Sequence, residues 1–146
     1  MKTTLIIPAW NAENTITECV LSAIQADKSP DEIIVVDDFS SDQTSNMILD
    51  LSKTFNNVKL YKMQVNSGPA AARDFGVKKA QGELIFFTDS DTIFLKNTFQ
   101  NCLLTIENYN ADAVSGIYHP EPINKGITQL YKALFFYYHF IKHNNP

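Results

Sequence analysis

"DEIIVVDD", residues 31–38, decides the fold class. Four apolar residues run without a break from Ile33 to Val36, and the run stops abruptly at Asp37 and Asp38. A strand with one face in water alternates apolar and polar residues, whereas a continuous run reads as a strand buried on both faces. The pattern recurs on either side. "TTLIIPA" (3–9) is an earlier strand, and "VKLYKMQ" (58–64) and "ELIFFTD" (83–89) are later ones; "ADAVSGIYH" (111–119) is a fifth candidate.

Helical stripes separate these runs. Ile16, Cys19, Val20, Ala23 and Ile24 mark one face at 3.6-residue spacing, and Thr44, Met47, Ile48, Leu51 and Phe55 mark another. Ser40 with Gln43 has the spacing of a capping pair ahead of the second helix. Pro69 opens a third helix and Gly82 follows its end. Phe99, Cys102, Leu103 and Ile106 give a fourth, and a last helix is expected over about 127–142. The order βαβαβαβαβα predicts an α/β fold, a mostly parallel, Rossmann-like sheet with helices on both faces. Its crossovers are right-handed, and ligands bind beyond the carboxyl ends of the strands.

The bulk numbers agree with one globular domain. The chain has 146 residues, is 45% hydrophobic and 19% charged, and carries a formal net charge of −4. No basic stripe appears, so nucleic acid is not an expected partner. Cys19 and Cys102 fall on apolar helix faces, which favours buried thiols over a disulfide and fits a reducing cytoplasm. No apolar run reaches the length needed to span a bilayer.

The strands end in Pro8-Ala9-Trp10-Asn11, Asp37-Asp38, Asn66-Ser67-Gly68 and Asp89-Ser90-Asp91. Taken singly, each acid is at home as a turn or helix-cap residue. Four on one edge call for a ligand. Asp89 and Asp91 flank a small serine, and a hard divalent cation such as Mn²⁺ or Mg²⁺ would relieve their repulsion while sharing a substrate's phosphates. "NSGPAAAR" (66–73) places a glycine loop, a helix N-terminus and Arg73 together, a set suited to phosphate. Trp10 offers a stacking face, and the Asp37/Asp38 pair offers acceptors for the N–H of a base. The plain readings are a surface salt bridge for Arg73 and a packed rim aromatic for Trp10.

"LIIPAWNAENTITECVLSAI", "DEIIVVDDFSSDQT" and "NSGPAAARDFGVKKAQGELIFFTDSD" together resemble the inverting family 2 glycosyltransferases of the GT-A fold, in order and spacing, over about the first 95 residues. The resemblance implies transfer of a sugar from a nucleotide-diphosphate donor, with a UDP-sugar favoured, to an acceptor hydroxyl. It implies donor-binding roles for Pro8, Trp10, Glu13, Asp38, Arg73 and Asp89. Asp38 would read the base, Trp10 would stack near it and Arg73 would face the phosphates. Asp91 would be the direct metal ligand, with Asp89 shared between the metal and the ribose or sugar. The acceptor would be a saccharide or a lipid-linked glycan of the cell envelope.

Two departures from the family pattern stand out. Asp74 follows Arg73 where the family usually has asparagine. Beyond Asp91 the only acids are Glu107, Asp112 and Glu121, and none matches the family's acceptor base. The expectation is therefore a donor-binding domain over 1–120, followed at 121–146 by a helical segment that begins a truncated acceptor half, with the catalytic base absent. The aromatic-rich stretch 127–142, with Leu130, Leu134, Phe135, Tyr138 and Ile141, would then seek a second copy or a membrane surface. The competing class is a non-catalytic nucleotide-binding or partner-binding remnant. A nucleotidyltransferase is disfavoured because "PAWNAENT" lacks glycine and basic residues, and a dinucleotide-binding dehydrogenase because no Gly-x-Gly-x-x-Gly follows the first strand.

Overall fold

A computed structural model of the chain describes residues 1–117, 119–121 and 126–144. The elements are β1 (Thr3–Ala9), α1 (Ile16–Ile24), β2 (Glu32–Asp37), α2 (Thr44–Thr54), β3 (Val58–Lys62), α3 (Pro69–Val77), β4 (Leu84–Phe87), α4 (Thr98–Tyr109) and α5 (Ile127–Asn144). The strands form one sheet in the order β3-β2-β1-β4, and every pairing is parallel. The expected α/β architecture is therefore present. Chain order runs outward from β1 to β3 and then returns to the other side of β1, so order reverses between β1 and β4. The carboxyl edge beside that reversal is the place for a ligand.

Alternation along the strands divides the core in two. Leu5, Ile7, Ile33 and Val35 pack with Ile16, Cys19, Val20 and Ala23 of α1, Ile48 of α2 and Phe99. Ile6, Ile34 and Val36 turn to the opposite face and meet Ala72 of α3. Both faces of β1 and β2 are thus covered, which is why their sequences run apolar without alternation. Phe99 is closed in by Phe86 and Phe94, with ring centroids at 5.0 and 4.7 Å. On the other face α3 lies close to β1, since a Cβ on Gly76 would come within 2.6 Å of Ile6 Cγ2.

The amino edge is tied by a buried carboxylate. Glu32 accepts hydrogen bonds from Lys59 Nζ (2.6 Å), Thr4 Oγ1 (2.8 Å) and the Gln81 amide (2.9 Å). Burial pushes the Glu32 pKa up, but these three donors outweigh it and the net shift is downward. The Gly82 amide donates to Thr4 Oγ1 at 2.9 Å, and a Cβ at Gly82 would lie 2.6 Å from the Thr4 nitrogen. This glycine is needed where the return loop touches β1. It does not cap α3, which ends at Val77 with Lys78 as its C-cap.

Two expectations are corrected. Ser40 and Gln43 form no capping pair: Gln43 is the N-cap residue of α2 and makes no side-chain cap bond. Asp42 takes that role, its Oδ1 accepting the Thr44 amide at 3.0 Å, while Ser40 is held elsewhere. The fifth strand expected at 111–119 does not form among its described residues; Tyr118 lies outside them. Asp112, Ser115 and Gly116 are poor strand formers, residues 112–117 are exposed, and a strand without a ladder partner gains nothing from extending.

The chain divides into two compact units, Met1–Asn101 and Cys102–Pro146. The first contains the whole sheet and every residue singled out for the donor site. In the second, Leu130, Tyr131, Phe135 and Tyr138 of α5 are exposed, whereas Ala133 is buried. Ile141 lies outside the residues whose side chains are described. No described helix is long and apolar enough to cross a membrane. Cys19 and Cys102 are free thiols, the first buried and the second half-buried.

Candidate functional site

Parallel strands deliver their exits to one edge. β1 leaves through Trp10 and Asn11, β2 through Asp38 and Phe39, and β4 through Thr88 to Asp91. β3 leads through Asn66, Ser67 and Gly68 into α3. Pro8 lies within β1, buried and in register with Val36. Trp10, by contrast, is 59% exposed.

Asp38 is 2% exposed, and both of its oxygens are engaged by backbone. Oδ1 accepts the Ser67 amide at 2.8 Å and Oδ2 the Gly68 amide at 2.7 Å. The Asn66 side chain closes the contact by donating to the Asp38 carbonyl at 3.2 Å. Gly68, at φ +86° and ψ 163°, adopts a conformation that side chains resist, and it hands the chain to Pro69 at the first turn of α3. Asp38 therefore hooks the loop that starts α3. Each carboxylate oxygen keeps a second lone pair for a further donor.

One turn along α3, Arg73 reaches the exit of β4. Its Nη2 donates to Asp89 Oδ1 at 2.5 Å. The sequence placed Arg73 and Asp89 separately around a donor; the structure places them on each other. A line of contacts thus links β2 to β4 across β1: Asp38, the 66–68 loop, α3, Arg73 and Asp89. Both partners are substantially exposed, so the pair contributes little to stability.

Behind the 89–91 turn lies Cys19, whose thiol donates to the Asp89 carbonyl at 3.6 Å. The Thr92 amide donates to the same carbonyl at 3.3 Å and closes the turn. Burial pushes the Cys19 pKa up to about 12; the Asp91 and Asp89 charges add to the rise, and a hydrogen bond with the Thr92 backbone opposes it. The thiol stays neutral and acts as packing under the turn. Asp91 is exposed, with no hydrogen-bond or ion-pair partner among the described residues.

Those donors suit a divalent cation in part. No group of three or more His, Cys, Asp or Glu side chains gathers among the described residues, so a fully protein-built cage is absent there. The free Asp91 carboxylate and the second oxygen of Asp89 are hard donors on one turn. That is the one-or-two-carboxylate set that Mg²⁺ and Mn²⁺ use when phosphates and water complete the shell. The residues fit such an ion.

Sequence reasoning missed the bracing around these groups. Asn11 sits at φ 48° and Phe39 at φ 65°. The Asn11 amide donates to Ser40 Oγ at 2.9 Å, and Asn11 Oδ1 accepts the Ser41 amide at 2.9 Å. Asp37 accepts the Ser40 amide at 2.9 Å with one oxygen and the Ser45 hydroxyl with the other. Glu13 Oε2 accepts the Gln43 amide at 3.0 Å, while the Glu13 amide donates to Asp42. Glu13 is therefore placed as a tie between the β1–α1 loop and the start of α2. Asparagine's tolerance of the left-handed region was the available signal for Asn11; nothing local marks Phe39.

Comparison with known proteins gives this edge a context. The chain is 35% identical over 117 residues to the poly(ribitol-phosphate) beta-N-acetylglucosaminyltransferase TarS of Staphylococcus aureus, covering 78% of this chain and 20% of that protein. It thus spans about a fifth of the length of that curated relative. The crystal structure of S. aureus TarS 1–349 in complex with UDP-GlcNAc matches with a TM-score of 0.69 and 33% identity, over 86% of this chain and 39% of that one. A mannosyltransferase from Pyrobaculum calidifontis shares the fold at a TM-score of 0.75 and 24% identity, over 91% of this chain and 38% of that one. The family model for glycosyl transferase family 2 matches residues 4–145, nearly the whole chain, and the chain belongs to that family.

Proposed function

We propose that the carboxyl edge binds a nucleoside-diphosphate sugar, a UDP-sugar for preference, as the donor site of an inverting, metal-dependent glycosyltransferase. The observation that carries this reading is the run of contacts from Asp38 through Arg73 to Asp89, beside the exposed Asp91, on one sheet edge in a family 2 chain: the residue types that a base, a diphosphate and a cation would need. The relative solved with UDP-GlcNAc supports the choice of nucleotide.

Each residue then has a task. Asp38, already fixed by two amides, uses a remaining lone pair for a base N–H. Trp10 supplies a stacking face. Arg73 exchanges its bond to Asp89 for one to the donor phosphates, which keeps its guanidinium paired throughout. Asp91 and Asp89 would hold Mn²⁺ or Mg²⁺. When bound, such an ion neutralises the diphosphate and stabilises it as a leaving group. Pro8 and Glu13 shape the floor and one wall. An acceptor hydroxyl, giving its proton to a base, attacks the anomeric carbon in line as the bond from that carbon to the diphosphate breaks; the nucleoside diphosphate leaves and the configuration inverts.

No acceptor base is assigned among Glu107, Asp112 and Glu121. The acceptor is a saccharide or a lipid-linked glycan, a reading supported by a relative from Escherichia coli named as a UDP-Glc:alpha-D-GlcNAc-diphosphoundecaprenol beta-1,3-glucosyltransferase. The exposed apolar residues of α5 support a contact of 127–142 with a second copy or with a membrane surface at the cytoplasmic face. Sedimentation with and without anionic vesicles tells the two apart.

Calorimetry with UDP and UDP-GlcNAc, with and without Mn²⁺, tests the central reading. Binding that strengthens with Mn²⁺ and loses that gain on Asp91→Ala is the expected result. Failure of every nucleoside diphosphate to bind overturns it.

A further inference from the structure

Phe39 is the anomaly of this edge. It holds φ at 65°, the left-handed region that bulky side chains avoid. Its ring is not there for the core, since 59% of the residue is exposed. The backbone cannot relax easily. Asp37 grips the amide of Ser40, and Asn11 donates to the Ser40 hydroxyl while accepting from Ser41. The residue just before it, Asp38, is locked to the 66–68 loop. Glycine or asparagine would occupy the same turn with less strain, yet the chain carries a phenylalanine. Strain that packing does not offset points to a ligand.

Place and chemistry narrow the ligand. The Asp38 amide donates to the Ala9 carbonyl at 2.8 Å and carries the β1–β2 ladder past the last register pair, Ala9 with Asp37. Trp10 therefore leaves β1 beside Asp38, and Phe39 follows directly on the neighbouring strand, about 5 Å across the sheet. Two aromatics, each 59% exposed, thus flank Asp38, a buried acid whose two oxygens each keep a lone pair for a base. A planar ring with an N–H is the ligand that uses both aromatic faces and the acceptor.

We infer that Phe39 is a second base-contacting residue of the donor site, a specificity element that stacks on the nucleobase from the β2 side. The inference rests on the donor-site reading above. Phe39→Gly is the informative variant because it removes the ring and relieves the turn together. UDP binding in the presence of Mn²⁺ weakens by about tenfold, the scale of one lost aromatic–base contact. The thermal midpoint without ligand holds or rises. UDP and UDP-GlcNAc lose affinity equally, because the base is common to both. Phe39→Tyr, which restores a ring, recovers most of the loss.

Each other outcome is decisive. If the wild-type chain binds UDP but Phe39→Gly binds it within twofold, the inference falls and the donor-site reading stands. A loss confined to UDP-GlcNAc places the ring on the sugar and overturns the base contact. A midpoint several degrees lower makes Phe39 a packing residue. If the wild type binds no nucleoside diphosphate, both readings fall together.

Discussion

Substituting Asp38 separates the scaffold role that its hydrogen bonds show from the base-recognition role proposed for it. Its carboxylate accepts the Ser67 and Gly68 amides at 2.8 and 2.7 Å. Hydrogen bonds to a charged acceptor contribute about 1.5–3 kcal/mol each. Ser67 is exposed and Gly68 half-buried, so water can reach the freed amides and the lower end applies. Asp38→Ala should therefore cost about 3 kcal/mol. Asp38→Asn is no milder than a partial remedy, since one oxygen becomes an NH₂ that faces an amide donor; about 2 kcal/mol is expected. For a chain of this length those losses lower the melting midpoint by about 5–10 °C. The assay is thermal unfolding without ligand, paired with UDP titration at a temperature where both variants are folded. Both variants should bind UDP more weakly, because in the proposed donor site the same carboxylate would meet the base. An Asp38→Asn chain that melts within about a degree of wild type refutes the hook and leaves recognition as the carboxylate's sole role.

Three further outcomes follow from other contacts. Asp91→Asn should leave the melting midpoint unchanged, since the side chain is exposed and unpartnered among the described residues, yet remove the Mn²⁺-dependent gain in UDP affinity; calorimetry with and without Mn²⁺ reads it. Gly82→Ala should destabilise the fold by about 2–3 kcal/mol, because the new Cβ would meet β1 backbone at 2.6 Å and that backbone has no rotamer with which to yield; denaturant unfolding measures it. Glu32→Gln should melt several degrees lower at neutral pH. The Glu32 pKa is lowered in the fold, so its stabilisation is present above the unfolded-state value and disappears as pH falls through the folded one. The gap between the two midpoints should therefore begin to close once pH falls below the unfolded-state value of about 4.3 and go on closing toward the lower folded one, and a gap that stays constant through that fall would refute the charge-based reading.

The fold was legible because burial on two faces leaves a plain trace in sequence. Ile33–Val36 and Leu5–Ile7 run apolar because alternate residues feed two cores, one under α1 and α2 and one under α3. The candidate site was legible only as residue types at and just beyond strand ends. Asp38, Asp89 and Asp91 were nameable because parallel topology sends every strand exit to one edge, and Arg73 because it lies one turn into the helix that follows the exit of β3. Their pairings were not, because a hydrogen bond between Asp38 and an amide 29 residues later depends on how two loops fold together. Ser40 shows the same limit: it has capping chemistry and capping spacing, yet Asn11, 29 residues earlier, claims its hydroxyl.

What the pairings add is a reason for the site's order. A bare Asp-x-Asp turn would leave Asp89 and Asp91 repelling each other in water. Here Arg73 takes one of them and Cys19 supports the turn from beneath, so a single carboxylate stays free. In the proposed donor site, a diphosphate arriving with its cation would offer Arg73 a phosphate and Asp89 a metal in the same event. Neither charge is left unpaired before or after, which keeps the cost of opening the pair small. The arrangement predicts that Arg73→Ala weakens metal-free UDP more than it weakens UDP with saturating Mn²⁺, since the cation then carries part of the phosphate charge. Equal losses under both conditions would mean that Arg73 and the metal do not share the diphosphate, and the exchange described above would be wrong.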